Sequence, residues 1–365
     1  MKVAIISSGH GGQAMAGYFS MRGADVSLFT RVPEIIDELS EKKSIELDGV
    51  YTGRYPLAGV CADMAAVIDG ASLIMVTTPS HYQHNVAELM APHLRDGQII
   101  VLNPGRTFGT YEFENTLLRA GCTADYTLAE TDTFVFTCRN SAIGVSHIFK
   151  HKDDVELAAH EPGDTPRVLE ALAPFFPNMR AAKSVLHTGL QNIGMVLHPI
   201  PILMNITRVE RAEDFLFYKE AITPVVCMMI ERVDAERMAV AEALGVEVFT
   251  ALDWMRRNYG VQGDKLYEAI QNNPAYDDVF TPKRLDTRYI FEDISSGHVP
   301  VSCIGDVVGV PTPNINSVIQ FASNVFDYDF MRRGRNSTKI DIIGLIDAAT
   351  KHPAKRAAPP KKEEA

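Results

Sequence analysis

The start of this chain leaves it little freedom. An apolar run, "KVAII", meets a glycine cluster at once, and an alanine-rich stretch with helical spacing, "GQAMAGYF", follows. Gly9, Gly11 and Ala14 stand in a GxGxxA arrangement between them. A strand must stop there, turn within a few residues and restart as a helix. In such a unit Gly9 permits the tight turn, Gly11 lets a pyrophosphate approach the backbone, and Ala14 keeps the helix close to the sheet. The phosphates then sit on the helix N-terminus, where free N–H groups and the helix dipole favour negative charge. Gly9, Gly11, the adjoining Gly12 and Ala14 are the candidate cofactor-binding residues of a dinucleotide-binding unit.

The pattern continues as that unit requires. "DVSLFTR", "SLIMVTT", "QIIVLN" and "YTLAET" are strand-like runs with a helix expected between each pair. This order predicts a parallel sheet with helices on both faces. The segment from about 150 to 184 is expected to close that sheet and lead onward. From 185 the texture becomes helical. "TPVVCMMIERVDAERMAVAEALG" has Thr223 as a cap, Pro224 in the first turn and Gly245 as the stop, and "PTPNINSVIQFASNVF" reads as another helix. The expectation is an α/β Rossmann-type domain over 1–184, an all-α domain over 185–348, and a disordered tail over 349–365, where Pro, Ala and charge replace any apolar period.

Composition excludes several function classes. A net charge of −11 argues against a general affinity for nucleic acid or anionic membranes. No apolar run approaches the roughly 18 residues of a membrane span. In "MKVAIISSG" glycines follow where a signal peptide would continue. Five scattered cysteines, with no CxxC pair, read as reduced thiols in a cytoplasmic protein. No metal is expected, and a homodimer is possible.

An acid usually stands about 20 residues past the glycines and binds the ribose of NAD. Here the strand end reads Thr30 and Arg31, which suits a 2′-phosphate, so NADP(H) is preferred and NAD(H) possible. The competing reading is a solvated arginine at a strand end. Thr78 and Pro79, in "VTTPSHYQ", would line the adenosine side or the nicotinamide ribose.

Chemistry points to the second half. In "NIGMVLHPIPILMN", helical spacing puts Gln191, Gly194, His198, Pro201 and Asn205 on one uncharged polar stripe. His198 is suited to proton transfer near neutral pH. Downstream, "DTRYIFEDISSGHVP" packs Arg288, Glu292 and Asp293 beside a glycine and a proline, as a loop entering or leaving a helix would. A carboxylate on the far nitrogen of a histidine fixes its tautomer, and an arginine can grip a substrate carboxylate with two parallel bonds.

The GxxxHPxPxLxN pattern from Gly194 to Asn205 resembles the signature of the octopine/nopaline (opine) dehydrogenase family. "FYKEAITPVV", "ERVDAERMAVAEALG", "RYIFEDISSG", "NPGRTFGTYEF" and "AETDTFVFTCR" carry the resemblance over about residues 2 to 345. It implies a Rossmann domain joined to a helical domain, with the active site in the cleft between. It also implies condensation of an amino acid with an α-keto acid and reduction of the imine by NAD(P)H. Carried over, the catalytic histidine is His198, its partner carboxylate Asp293, and the substrate-carboxylate arginine Arg288. Asn192 or Asn205 would bond substrate or a partner helix, and the prolines would kink the helix at the histidine. Ile294-Ser295 and His298 depart from the family pattern in a stretch expected to line the substrate site. The rival readings are a two-domain NADPH-dependent keto-acid reductase, which would lean on a lysine in the corresponding helix, and a non-catalytic NADPH-binding regulator.

Overall fold

The computed structural model describes residues 1–351. Twelve strands form two sheets. They are β1 Lys2–Ile6, β2 Asp25–Phe29, β3 Ser44–Gly49, β4 Gly53–Pro56, β5 Gly59–Cys61 and β6 Leu73–Val76, then β7 Ile99–Leu102, β8 Thr127–Thr131, β9 Phe136–Ala142, β10 Val145–His151, β11 Glu156–Ala159 and β12 Arg180–Ala181. The large sheet runs β12-β11-β8-β7-β6-β1-β2-β5. Its strands read as unbroken apolar runs because helices cover both faces. Val3 and Ile5 enter one core with Ala14, Met15 and Phe19, whereas Ala4 and Ile6 enter the other with Val67, Val86 and Phe113.

The sheet is mostly parallel, with one reversal: β11 pairs antiparallel to β8. Residues 156–181 complete this sheet through β11, the helix Thr165–Leu172 and β12, as the sequence suggested. The second sheet, β4-β3-β10-β9, was not anticipated. A lone helix was expected between β2 and β6, but three strands follow that helix, and β3 pairs with β10 from a hundred residues downstream. β3 alternates, with Ile45 and Leu47 buried and Ser44 and Glu46 less so, because only one face is covered, and that face packs on the first helix, His10–Met21. The packing is close: a Cβ on Gly17 would lie 2.6 Å from Leu47.

From Val185 onward the regular elements of the described residues are helices, joined by loops with one isolated bridge between Leu216 and Phe280, and they share one core. The long helix Pro224–Ala243 runs through it, capped by the Thr223 side chain on the Val226 N–H and ended at Gly245, where φ is +68°. Its "ERVDAER" motif is structural. Arg237 is fully buried, donates to Asp234 from Nε at 2.9 Å, and donates to the carbonyls of Leu190 and Phe249 at 2.5 and 2.7 Å. Asp234 in turn accepts from the Ala251 N–H at 2.7 Å. Glu236 caps the helix Pro313–Phe326 by accepting from the N–H groups of Asn314 and Ile315, both at 2.8 Å.

Two expectations need correction. Residues 286–300 are not a loop: the helix Arg288–Asp293 passes through a π-helical turn, Ile294–His298, into the helix Val299–Val308. Pro300 is tolerated there because it falls in the first turn of the last segment. The expected tail begins too early, since the final helix, Ile342–Lys351, continues past 349. Residues 352–365 lie outside the described residues.

Replacing Arg237 by Met should cost about 3–5 kcal/mol in urea unfolding, because Asp234 would be left buried without its cation. The double change Asp234→Leu with Arg237→Met should cost less than Arg237→Met alone. A single-variant loss under about 1 kcal/mol would show that the pair does not clamp this core.

Candidate active site

The kink at His198 has a covalent origin. The helix Ile193–Leu197 ends there and the helix Pro199–Met204 begins. Pro199 and Pro201 lack the N–H groups that would bond the carbonyls of Met195 and Leu197, so the ladder is broken on both sides of the histidine. His198 itself still donates its N–H to Gly194 at 3.0 Å.

The imidazole is fixed on three sides. Nδ1 lies 2.7 Å from Oδ2 of Asp293, whose side chain is wholly buried. Tyr289 stacks on the ring at 4.3 Å between centroids. Nε2 has the Tyr218 hydroxyl at a long 3.4 Å. With a carboxylate at Nδ1, the favoured tautomer carries its proton there and leaves Nε2 with a free lone pair. Burial lowers the His198 pKa below the usual histidine range, Arg288 and Arg106 push the same way, and Asp293 opposes them. At neutral pH, Nε2 is therefore a base whose conjugate acid has a carboxylate waiting.

Glu292, one residue before, serves a different pair. Its carboxylate accepts from the Ser80 N–H at 3.0 Å and from Arg106 Nε and Nη2, each at 3.4 Å, and it lies 3.6 Å from Arg288 Nη1. Burial alone would raise its pKa, but Arg106, then Arg288 and the Ser80 amide, hold it far below the usual carboxylate range. Arg288 opens the same helix with its side chain about half exposed, and its guanidinium lies over the Tyr289 ring. One helix thus carries Arg288, Tyr289, Glu292 and Asp293 to the junction between the large sheet and the helical core.

Gly194 explains how these groups come so close. A Cβ there would stand 2.8 Å from Arg106 Nη1 and 2.9 Å from Asp293 Oδ1. Arg106 itself was missed by sequence reasoning, although it ends the strand-and-turn run "VLNPGR" at the C-terminal edge of the sheet, where ligand crevices form. Its backbone sits at φ +62° after a cis Asn103–Pro104 bond.

The uncharged stripe is not one face of one helix. Gln191 pairs with the backbone of Phe249, accepting at 2.7 Å and donating at 3.3 Å. Asn192 accepts from Arg106 Nη1 at 3.4 Å and donates to the Thr107 hydroxyl at 3.2 Å, so it braces Arg106. Asn205 spends its amide on the carbonyls of Pro201 and Ala221, at 2.9 and 3.0 Å. Its amide thus ties a helix end to the segment that precedes Thr223, the protein-side alternative of the two contacts expected of it. The departures from the family pattern also face inward: Ile294, Ser295 and His298 are buried. His298 packs behind Asp293, with Nδ1 3.2 Å from its carbonyl, and burial pushes its pKa down to about 4.

At the glycine loop the roles redistribute. Gly9 has an ordinary φ of −68°, and a Cβ there would meet only Ser7 Oγ, at 3.8 Å. Gly12 is the position that admits no side chain, because a Cβ would fall 1.9 Å from the Ser7 carbonyl. A Cβ on Gly11 would lie 2.8 Å from the Phe134 ring. Ala14 is fully buried against the sheet. No side chain caps the helix from His10, so its first N–H groups remain for an anion over the open side of Gly9. These residues fit a dinucleotide pyrophosphate. Thr30 is buried and accepts from the Ser8 hydroxyl at 2.6 Å and the Val32 N–H at 3.2 Å, which pins the strand end. Arg31 is exposed beside it. Thr78 donates to the Ile6 carbonyl at 3.0 Å, and Pro79 precedes the short turn Ser80–Tyr82.

A pyrophosphate-binding turn on a mostly parallel sheet, meeting a buried His–Asp pair on a helical half, defines a nicotinamide-dependent oxidoreductase of the two-domain class. Comparison with known proteins narrows the class. Residues 181–326 match the family model described as NAD/NADP octopine/nopaline dehydrogenase, alpha-helical domain. Residues 2–105 match that of the NAD-dependent glycerol-3-phosphate dehydrogenase N-terminus. An opine dehydrogenase of Arthrobacter sp. strain 1C is 35% identical over 346 residues, covering 94% of this chain and 96% of that one. A vitopine synthase of Allorhizobium ampelinum is 28% identical, covering 95% and 98%. Among solved structures, an octopine dehydrogenase in complex with NADH and agmatine superposes with a TM-score of 0.79 at 19% identity, covering 95% of this chain and 98% of that one. The chain belongs to the opine dehydrogenase family, and its reaction is an NAD(P)-dependent oxidation or reduction at a CH–NH bond.

A lowered His198 pKa has a definite consequence for amine oxidation, where the neutral imidazole is the active form. The acid limb of kcat/KM should have its midpoint below pH 6.5, with activity lost as pH falls through it. A midpoint above 6.5 would contradict the buried-base geometry.

Proposed function

We propose that the protein condenses an L-amino acid with an α-keto acid such as pyruvate and reduces the resulting imine, with NADPH preferred to NADH. The observation that carries this reading is the 2.7 Å contact between His198 and the buried Asp293, which leaves Nε2 with only the long 3.4 Å contact to the Tyr218 hydroxyl. When bound, the nicotinamide would supply or accept the hydride at the carbon of the C–N bond. Nε2 of His198 takes the proton of the secondary amine in oxidation and returns it in reduction. Asp293 keeps the proton of the neutral ring on Nδ1 and stabilises the imidazolium. Arg288, exposed at the same helix start, holds a substrate carboxylate. Asn192 acts on substrate through Arg106, which it braces. Gly9, Gly11, Gly12 and Ala14 hold the pyrophosphate turn, Thr30 positions the strand end, and Thr78 and Pro79 shape the adjoining loop.

Related structures support the substrate class, since octopine dehydrogenase has been solved with NADH and L-arginine and with NADH and pyruvate. Yersinopine dehydrogenase has been solved with NADP+. The exposed Arg31, beside a strand end that carries no acid, supports the NADPH preference. We assign the dinucleotide-binding domain to residues 1–184 and the substrate domain to 185–348, because the last strand ends at Ala181 and the helices begin at Val185. Five free cysteines among the described residues support a reducing, cytoplasmic setting. No described helix is long and apolar enough to cross a membrane. The keto-acid reductase alternative lacks its lysine, for residues 185–205 contain none.

His198→Ala should lower kcat by about 10² to 10⁴ while leaving the cofactor Kd nearly unchanged. Asp293→Asn should also lower kcat, and the double variant should be scarcely worse than the poorer single one. Steady-state kinetics at saturating substrate decides this; wild-type kcat in His198→Ala, or fully multiplicative effects, would remove the pair from the chemistry. A keto acid turned over alone as fast as with an amine would replace this reading by ketone reduction.

For the cofactor, kcat/KM with NADPH should exceed that with NADH, and Arg31→Ala should narrow the ratio. A tenfold preference for NADH, about 1.4 kcal/mol in transition-state binding, would overturn the assignment.

A further inference from the structure

Phe217 and Tyr218 open the "FYKEA" stretch, and the second of them reaches the reacting nitrogen. The Tyr218 hydroxyl lies 3.4 Å from Nε2 of His198 and has no other hydrogen-bond partner among the described residues. Backbone anchors place it there. Phe217 donates its N–H to the Val279 carbonyl at 2.7 Å, and the Tyr218 carbonyl accepts from Gln271 Nε2 at 3.3 Å. The Tyr218 ring stacks on Tyr276 at 3.6 Å between centroids and meets Phe217 edge-on at 4.8 Å, and both tyrosines are buried. Packing thus holds the hydroxyl beside Nε2 without a strong bond to keep it there. A contact of this length shortens or yields readily once substrate is bound.

A phenol in that position is a one-proton relay. With the imidazole neutral and its proton on Nδ1, the Tyr218 O–H donates to the Nε2 lone pair. With Nε2 protonated the bond reverses: Nε2–H donates to the phenol oxygen, and the O–H is free to point at a ligand. Burial, reinforced by Tyr289, Tyr259 and Asp293 and opposed by Arg288, raises the Tyr218 pKa well above the ordinary tyrosine value. The hydroxyl therefore keeps its proton through the range where His198 titrates. The neighbouring charged groups cannot substitute for it. Arg288 and Arg106 do not release protons, and Asp293 is bound to the opposite ring nitrogen, Nδ1.

The inference rests on the reaction proposed above, which needs protons at two atoms. The nitrogen exchanges one beside the hydride step, and the keto-acid oxygen must receive one to leave as water. We propose that Tyr218 is a catalytic residue that carries the proton between Nε2 of His198 and the departing oxygen, so that the protein makes and hydrolyses the imine as well as reducing it. The neutral amine adds to the keto carbon, and one proton moves from nitrogen to oxygen to give a carbinolamine. The Nε2–H proton then passes to the Tyr218 oxygen as the Tyr218 O–H proton passes to the hydroxyl. The C–O bond breaks, water leaves, and the nitrogen lone pair closes the C=N bond. His198 ends neutral, the iminium carries the positive charge, and its N–H proton recharges Nε2 for the reduction. Hydrolysis runs the same path backwards, with a proton of the attacking water entering through Tyr218.

Tyr218→Phe keeps the ring and its stack and removes only the relay. Oxidation of the secondary amine separates the steps, because hydride transfer precedes imine hydrolysis. The substrate is the product that the wild type makes from pyruvate and the L-amino acid it turns over fastest. It is mixed rapidly with protein and excess NADP+ while NADPH absorbance is followed. Tyr218→Phe should give a burst of one NADPH per site, within about threefold of the wild-type hydride-transfer rate, and a steady rate lower by about 10². The burst amplitude counts the folded sites. A burst slowed as much as the steady rate would overturn the proposal, since Tyr218 would then serve the hydride step or hold substrate. So would a steady rate at the wild-type level, because hydrolysis would not need the phenol; the reaction itself would stand. A wild type that consumes NADPH with no pairing of keto acid and amino acid defeats both.

Discussion

Two consecutive carboxylates buried on one helical turn govern this molecule. Glu292 and Asp293 cannot be stripped of water without partners, and they diverge to find them in different halves of the chain. Asp293 turns toward His198 within the helical half. Glu292 turns toward Arg106 and the Ser80 N–H, both in the sheet half. The same turn therefore sets the tautomer of the histidine and fixes the register of the two halves against each other. Gly194 is the condition for both, because any side chain there would strike Arg106 and Asp293.

How much of this was legible in the sequence depended on the range of the interaction. The glycine loop and the central strands were readable because their signals are local: one strand, one turn and one helix within about twenty residues. Even there, the glycine that the backbone demands is Gly12, since a contact with the Ser7 carbonyl leaves no trace in spacing. The small sheet stayed hidden because β3 finds its partner β10 a hundred residues downstream, a pairing that no local spacing reveals. The uncharged stripe was a true signal given the wrong geometry. Gln191 and Asn205 bond backbone groups exposed by helix ends and proline breaks, and these cannot be seen before the breaks are placed.

The site shows the same division. Periodicity alone could nominate His198 but could not join it to a carboxylate 95 residues away; resemblance supplied that pairing. Arg106 lay in a segment already noted for its likeness to the family, yet its role depends on Glu292, which reaches it across the junction from 186 residues downstream.

The chain also crosses that junction more often than a two-lobed enzyme must. After the helical half is built, Arg335 returns to the sheet half, donating to Glu112 at 2.8 Å and to the Thr107 carbonyl at 2.6 Å, and is itself 1% exposed. Glu130, buried at the end of β8, accepts from the Thr188 hydroxyl at 2.7 Å on a different part of the seam. With Arg106–Glu292, His187–Glu156 and the Lys150 ammonium on the Asn258 carbonyl, the halves are tied at several separated points along the seam. Any movement of one half against the other must therefore break or exchange several of these bonds together, so the width of the gap between them is set by the seam as a whole and not by a single contact.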